Sequence, residues 1–339
     1  MLFKKNKGKS ILGVDISREK IKIVELERID SDPEYDYKIL NYIIKEAPKG
    51  VFYKEDQLDS QVVGEFLKEI VAEERLAKTR AVCAVPAERS VEKTFKVPLD
   101  STDDEIENVI LNSSKTYTTN GIETMAFDFY EKIEERTEEN KTIVLKMCNL
   151  EAMTSREDSL LIGDLTPLVI ETDDAPLSRL SKTLRRQYNL EIGDEIQKED
   201  TYMFVEITNS TVTINTLTND KVFSTNEELL KKEVVNIEAV YAQVIDIIRK
   251  NIFIVESNTE NFKALFLSGE NDVLFKLRSM MERLEDEAGV EEFKDIEILV
   301  ANPLLDIKYG GVNLETITMA APSLVIPCGL AMAEINKYE

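Results

Sequence analysis

Two stretches of this chain, roughly 190 residues apart, repeat one order of strand, tight turn, strand and return strand, and this repetition limits the fold more than any other feature. In the first, residues 11–16 form a short apolar run ending beside an acid, Asp15, and a hydroxyl, Ser17. A β-branched run over 21–26 follows, with Lys22 and Glu25 interleaved, and residues 17–20 are few enough for a hairpin turn. Residues 37–46 read as the return strand. In the second, 202–207 and 211–216 are strands around a turn at 208–210, and Asn219-Asp220 turns the chain into a third. An amphipathic helix follows each hairpin: 59–76, with Val62, Val63, Phe66, Leu67, Ile70 and Val71 on one stripe, and a longer one whose stripe runs from Leu229 to Ile252. A strand follows each helix, over 80–85 and 263–267. The expected class is α/β, a duplicated two-lobe fold with a cleft between the lobes, where ligands commonly lie.

The turn at 17–20 presents backbone N–H groups, the Ser17 hydroxyl and nearby Lys22 to one point, which suits a phosphate, with Asp15 placed for the water shell of a Mg²⁺. The same residues also suit an ordinary hairpin, with Asp15 and Glu206 as strand-end acids and Lys22 as a solvated side chain. A P-loop reading of Gly8-Lys9-Ser10 fails, because Phe3 stands where the leading glycine is needed.

Residues 98–155 differ in character. Thr102 with Glu105 is a capping box opening a helix to about 115. Met125, Phe127 and Phe129 alternate with polar neighbours as a strand, 131–140 is a charged turn, and 142–148 returns as the partner strand. The expected organisation is a basic arm at 1–9, a first lobe at 10–97 and 156–199, an inserted subdomain at 98–155, a second lobe at 200–322 and a terminal helix at 323–339. Pro327 and Gly329 fall in that helix, at a place where backbones approach closely.

Asp and Glu total 65 against 42 Lys and Arg, a formal charge of −23, which argues against nucleic acid as a partner. Histidine is absent, which removes Ser-His-Asp and Cys-His schemes and His-ligated zinc. Cys83, Cys148 and Cys328 lie far apart and read as buried thiols of a reducing compartment. No window has the apolar length to span a membrane, and the basic opening has no apolar run behind it.

Several motifs, in order, resemble the actin-like ATPase superfamily, with its ribonuclease H-like duplicated lobes, and within it the PilM family of type IV pilus assembly proteins, which are relatives of the division protein FtsA. Leu12-Gly-Val-Asp-Ile-Ser17 through Lys22-Ile-Val-Glu-Leu26 resembles the first phosphate hairpin. Cys83-Ala-Val-Pro-Ala87 through Lys96-Val-Pro98, and Ile122 through Asp128, resemble the approach to an FtsA-type inserted subdomain. Ala264-Leu-Phe-Leu-Ser-Gly269 resembles the adenosine loop, and Ala301-Asn-Pro303 and Ala321 through Ala331 the closing segments.

The resemblance implies a site for ATP and Mg²⁺ built from Asp15, Ser17, Lys22, Glu206, Thr208, Thr211 and Gly269, with Asp15 toward the metal. The departures imply that this site is weakened. Ser17 stands where a glycine is usual, and Thr208 adds a Cβ where backbone approaches phosphate. Glu270 and Asn271 replace a glycine run, and Ile247 stands where the long helix usually offers an acid. By the same resemblance the chain is a cytoplasmic scaffold, held peripherally at the inner membrane through its partners. It would bind the N-terminal cytoplasmic peptide of the membrane protein PilN, meet other platform and motor proteins, and pair with its own copies. Phe127, Phe129, Val85 and Pro86 are the candidate peptide contacts, in a groove between the inserted subdomain and the first lobe; the plainer reading of Phe127 and Phe129 is as core-facing residues of their strand. An ATP-hydrolysing enzyme of the same fold and an FtsA-like filament former remain as alternatives.

Overall fold

The computed structural model describes residues 10–29, 32, 35–52, 57–87, 90–113, 121–231, 237–257, 261–286 and 296–333. The chain forms two compact units. One comprises residues up to Ala47, Lys78–Cys83 and Asp173 onward; the other comprises Pro48–Ala77 and Ala84–Thr172. The arm at 1–9 and the tail at 334–339 lie outside the described residues.

The first unit contains two sheets. Strands β1 (Ser10–Ile16), β2 (Lys20–Arg28) and β3 (Tyr37–Glu46) form an antiparallel meander. Strand β4 (Arg80–Val85) pairs parallel to β1, from Ile11 opposite Arg80 to Val14 opposite Cys83. In the second sheet β9 (Thr201–Ile207), β10 (Thr211–Thr218) and β11 (Lys221–Leu229) form the meander. There β12 (Phe262–Gly269) pairs parallel to β9 and β13 (Glu297–Val300) parallel to β12. The order β3-β2-β1-β4 in one sheet matches β11-β10-β9-β12 in the other, which is the expected duplication. A short strand β14 (Ile307–Tyr309) extends the first sheet beside β3.

The turn joining β10 to β11 has Asn219 and Asp220 both at positive φ, 53° and 59°, as a type I′ hairpin requires. Helices α5 (Ile237–Glu256) and α6 (Asn271–Asp286) cover one face of the second sheet. Val244, Ile248 and Ile252 on α5 and Leu274, Leu277 and Met281 on α6 pack with Val205, Ile214, Leu265 and Leu267. The apolar stripe read as starting at Leu229 belongs in part to a strand: β11 runs to Leu229, which is exposed, and α5 begins at Ile237. Ile247 lies in this apolar core.

Within the described residues the helix expected over 323–339 is shorter, and it begins just after a sharp bend. A 3₁₀ turn at Ala321–Ser323 precedes α8 (Val325–Ala331), and the preceding helix α7 (Leu314–Ala320) with that turn meets α8 at 96°. Pro327 is tolerated because it sits in the first turn of α8, where an N–H has no intrahelical acceptor. Every residue of α8 is buried. The close approach expected here is present. A Cβ on Gly13 of β1 would lie 1.9 Å from the Pro327 carbonyl oxygen, and one on Gly329 would lie 2.4 Å from that of Pro176, on α4 (Asp174–Ile192). Arg179 of α4 donates to the Gly329 carbonyl at 2.8 Å. Among the described residues, no single helix is long and apolar enough to cross a membrane.

In the second unit, α1 (Ser60–Glu74) packs on α3 (Leu150–Ile162), with Gly64 directly against Ile162. The strand β8 (Thr166–Thr172) also belongs to this unit. A three-stranded sheet of order β5-β7-β6 is formed by β5 (Ser90–Pro98), β6 (Met125–Glu131) and β7 (Asn140–Asn149). The strand over 91–97, which precedes the boundary drawn at 98, pairs with β7 along its whole length. Helix α2 (Asp103–Asn112) opens with the expected capping box: Glu105 N–H donates to the Thr102 hydroxyl, and Thr102 N–H to the Glu105 carboxylate. Val97, Ile106, Ile110, Ile143, Leu145 and Met147 form the core of this small layer.

Candidate functional site

The two hairpin turns that the sequence marks as phosphate loops both belong to the first unit, and the structure brings them together. In the first turn Ser17 N–H donates to the Lys20 carbonyl at 2.9 Å. The Ser17 hydroxyl donates to that same carbonyl at 2.9 Å and accepts from Lys20 N–H at 3.0 Å. The hydroxyl expected to meet a phosphate is therefore spent on its own turn.

The second turn is satisfied in the same way. The Thr208 side chain, standing where a glycine was expected, accepts from the N–H groups of Ser210 at 3.2 Å and Thr211 at 2.9 Å. The two threonine hydroxyls lie 2.9 Å apart. Thr208 thus does more than crowd the loop: its oxygen takes the donors that a phosphate oxygen would use. Asn209 N–H donates to the carboxylate of Glu19, from the first turn, at 2.9 Å.

Below the turns, Lys22 of β2 lies between two acids. Its ammonium is 3.2 Å from Asp15 Oδ2 of β1 and 3.0 Å from Glu206 Oε1 of β9. The Lys22 side chain is 7% exposed and the two acids 19% and 20%, so one cation serves two partly desolvated carboxylates. Burial pushes the Asp15 carboxyl above its ordinary range, the Lys22 charge opposes this, and Glu206 adds to it. Burial alone would favour neutral Lys22, yet Glu206 and Asp15 together outweigh it and hold the ammonium firmly protonated.

Gly269 ends β12 at φ 142°, with its Cα against the Ile207 carbonyl; a Cβ there would come within 2.5 Å of that oxygen. Glu270 follows and accepts in its backbone from Val273 and Leu274 N–H, while its carboxylate pairs with Lys20. The glycine is therefore required by sheet geometry, and the charge that opposes a nucleotide is matched from the facing turn. Among the described residues, no cluster of three carboxylate or thiol groups is placed for a metal ion. Asp15, the expected metal contact, has its Oδ2 on Lys22.

As they stand, these residues do not fit a nucleoside triphosphate with Mg²⁺. The Ser17, Thr208 and Thr211 hydroxyls and the N–H groups of Lys20, Asn209, Ser210 and Thr211 are already partnered, and Asp15, Glu19, Glu206 and Glu270 would face an anion. Glu19 was missed by the sequence reading. The one available signal was a carboxylate inside a turn that a phosphate loop would keep free of negative charge.

Of the peptide-contact candidates, Phe127 and Phe129 lie on β6 and pack, partly buried, against the small core of the second unit. Val85 is buried at the end of β4, and Pro86 follows it half-buried.

A family model described as type IV pilus assembly protein PilM matches residues 13–236, well over half of the chain. The chain belongs to the PilM family. The matched span takes in the first hairpin, the small sheet and the second hairpin through β11. A solved PilM-PilN type IV pilus biogenesis complex contains a chain similar over 95% of this one and 97% of its own length, at 17% identity and TM-score 0.69. More distant are a Bacteroides thetaiotaomicron protein with an actin-like ATPase fold (12% identity, 88% and 94% covered, TM-score 0.44) and the ethanolamine utilization protein EutJ from Carboxydothermus hydrogenoformans (13%, 96% and 89%, 0.44). This PilM-family chain has the actin-like ATPase fold, with the duplicated sheet order expected of it.

Proposed function

We propose that this PilM-family chain is a cytoplasmic scaffold of type IV pilus assembly, which binds the N-terminal cytoplasmic peptide of a PilN-type membrane protein and works with weakened or lost nucleotide binding. In this role it stands at the inner membrane through its partners and links the membrane platform to the motor proteins. The observation that carries the proposal is the similarity, over nearly the full length of both chains, to the chain of a PilM-PilN complex.

Three features support it. The turns that would hold phosphate are satisfied from within the chain. The three-stranded sheet ends on β6, an edge strand carrying Phe127 and Phe129, and an edge with adjoining apolar side chains suits an extended peptide. Val85 and Pro86 extend the proposed contact. The charge of −23 attracts a basic juxtamembrane segment.

The test is calorimetry of the purified chain with a synthetic PilN-type N-terminal peptide, with and without ATP and Mg²⁺. The scaffold reading expects peptide binding that needs no nucleotide. Loss of peptide binding in both conditions, together with substrate-dependent phosphate release, would replace it with an ATP-using enzyme.

A further inference from the structure

The first hairpin is tied to the second sheet and its turns by one carboxylate-to-N–H hydrogen bond and two ion pairs. Glu19 of the first turn reaches Asn209 N–H of the second at 2.9 Å, Lys20 pairs with Glu270, and Lys22 pairs with Glu206 at 3.0 Å. Each tie runs from the first hairpin to the second sheet. The backbone of Glu19 is itself held, since its carbonyl accepts from Ala47 N–H at 2.7 Å.

We propose that Glu19 is an internal stand-in for a phosphate: its carboxylate takes the anion position of the second turn and, with the two lysine pairs, clasps the hairpins together without nucleotide. This rests on the reading that nucleotide binding is weakened, and supplies its cause. A carboxylate accepting a turn N–H does what a phosphate oxygen does there. It arrives tethered, so it occupies the position at a high effective concentration. A free triphosphate must displace it and then face it as a like charge. The N–H groups of Ser210 and Thr211 are taken by the Thr208 hydroxyl and that of Thr208 by the Thr211 carbonyl, so the clasp completes the backbone donors of the second turn.

The experiment measures Mg·ATP binding to the full chain by calorimetry, for the native protein, Glu19→Ala, Glu19→Gln, and Glu19→Ala combined with Thr208→Gly. Glu19 is only half-buried, so its replacement leaves the core intact. The expected result is weak or undetectable binding by the native chain. Affinity then rises about tenfold in Glu19→Ala and further in the double variant, with a smaller gain in Glu19→Gln, which keeps the acceptor but not the charge. Melting temperature supplies a second readout: Mg·ATP raises it in Glu19→Ala and leaves the native value unchanged. If native and variant chains all fail to bind, the clasp proposal is overturned while the weakened-site reading stands. If the native chain binds as tightly as the variants, both fall.

Discussion

The Lys22 ammonium of β2 and the Glu206 carboxylate of β9, 184 positions apart in sequence, meet at 3.0 Å and tie the first meander to the opening strand of the second. Asp15 stands 3.2 Å from the same ammonium, so this lysine is the charge balance for two acids.

Replacing Lys22 by Met leaves Asp15 and Glu206 facing each other without a cation. We expect a loss of about 2–3 kcal/mol, below the ~3–5 kcal/mol of a fully buried broken pair because both acids keep some water contact. Urea unfolding of the variant reads this directly. Glu270→Gln, at the exposed rim, changes stability by less than about 0.5 kcal/mol.

The Asp15 carboxyl titrates above its ordinary range through burial. The native state therefore holds this proton more tightly than the unfolded chain does, and the stabilisation present below the unfolded value is lost as pH rises through the folded one. Asp15→Asn should accordingly gain on the native protein at pH 7 and lose that advantage at pH 3. Melting temperatures of the two chains across this range test the sign.

At Gly13, β1 and α8 approach so closely that a methyl group has no room. Gly13→Ala should cost about 3 kcal/mol or abolish folding, because the obstacle is the Pro327 carbonyl and not a movable side chain. Gly50, where a Cβ would meet nothing within 4 Å, is the contrasting site. It sits at φ 86°, so Gly50→Ala should cost only about 1 kcal/mol of backbone strain. Thermal unfolding separates the two.

Removing the Thr102 hydroxyl breaks the reciprocal cap of α2. Thr102→Ala is expected to cost about 1 kcal/mol, and Ile110→Ala, in the core beneath, about 2–5 kcal/mol. Amide exchange in α2 and β7 distinguishes local fraying from loss of the small layer.

For the proposed peptide contact, Phe127→Leu and Phe129→Leu keep apolar bulk but change shape. Severalfold weaker binding of a PilN-type peptide, with melting temperature nearly unchanged, is the expected outcome. Unaltered affinity in both would remove these residues from the contact.

The elements legible in the sequence are those with a local cause. Alternation and β-branching marked both hairpins, Thr102 and Glu105 marked the start of α2, and Asn219-Asp220 marked the tightest turn. The site was legible as a set of residues but not as a set of bonds. Glu19 with Asn209, and Lys22 with Glu206, are pairs that no local pattern announces, since they form only once both sheets exist. Thr208 was read as an added Cβ, whereas its hydroxyl decides its role. The start of the final helix was legible within two residues, but its end was placed too late: α8 stops at Ala331, and no local breaker in the sequence marks that point.

That seating bears on the order of events during synthesis. Among the described elements the strand carrying Gly13 is made first and the α8 backbone that covers it last. One face of the opening sheet thus stays uncovered for most of translation, and a nascent-chain experiment would find β1 protected from protease only once α8 has cleared the exit tunnel.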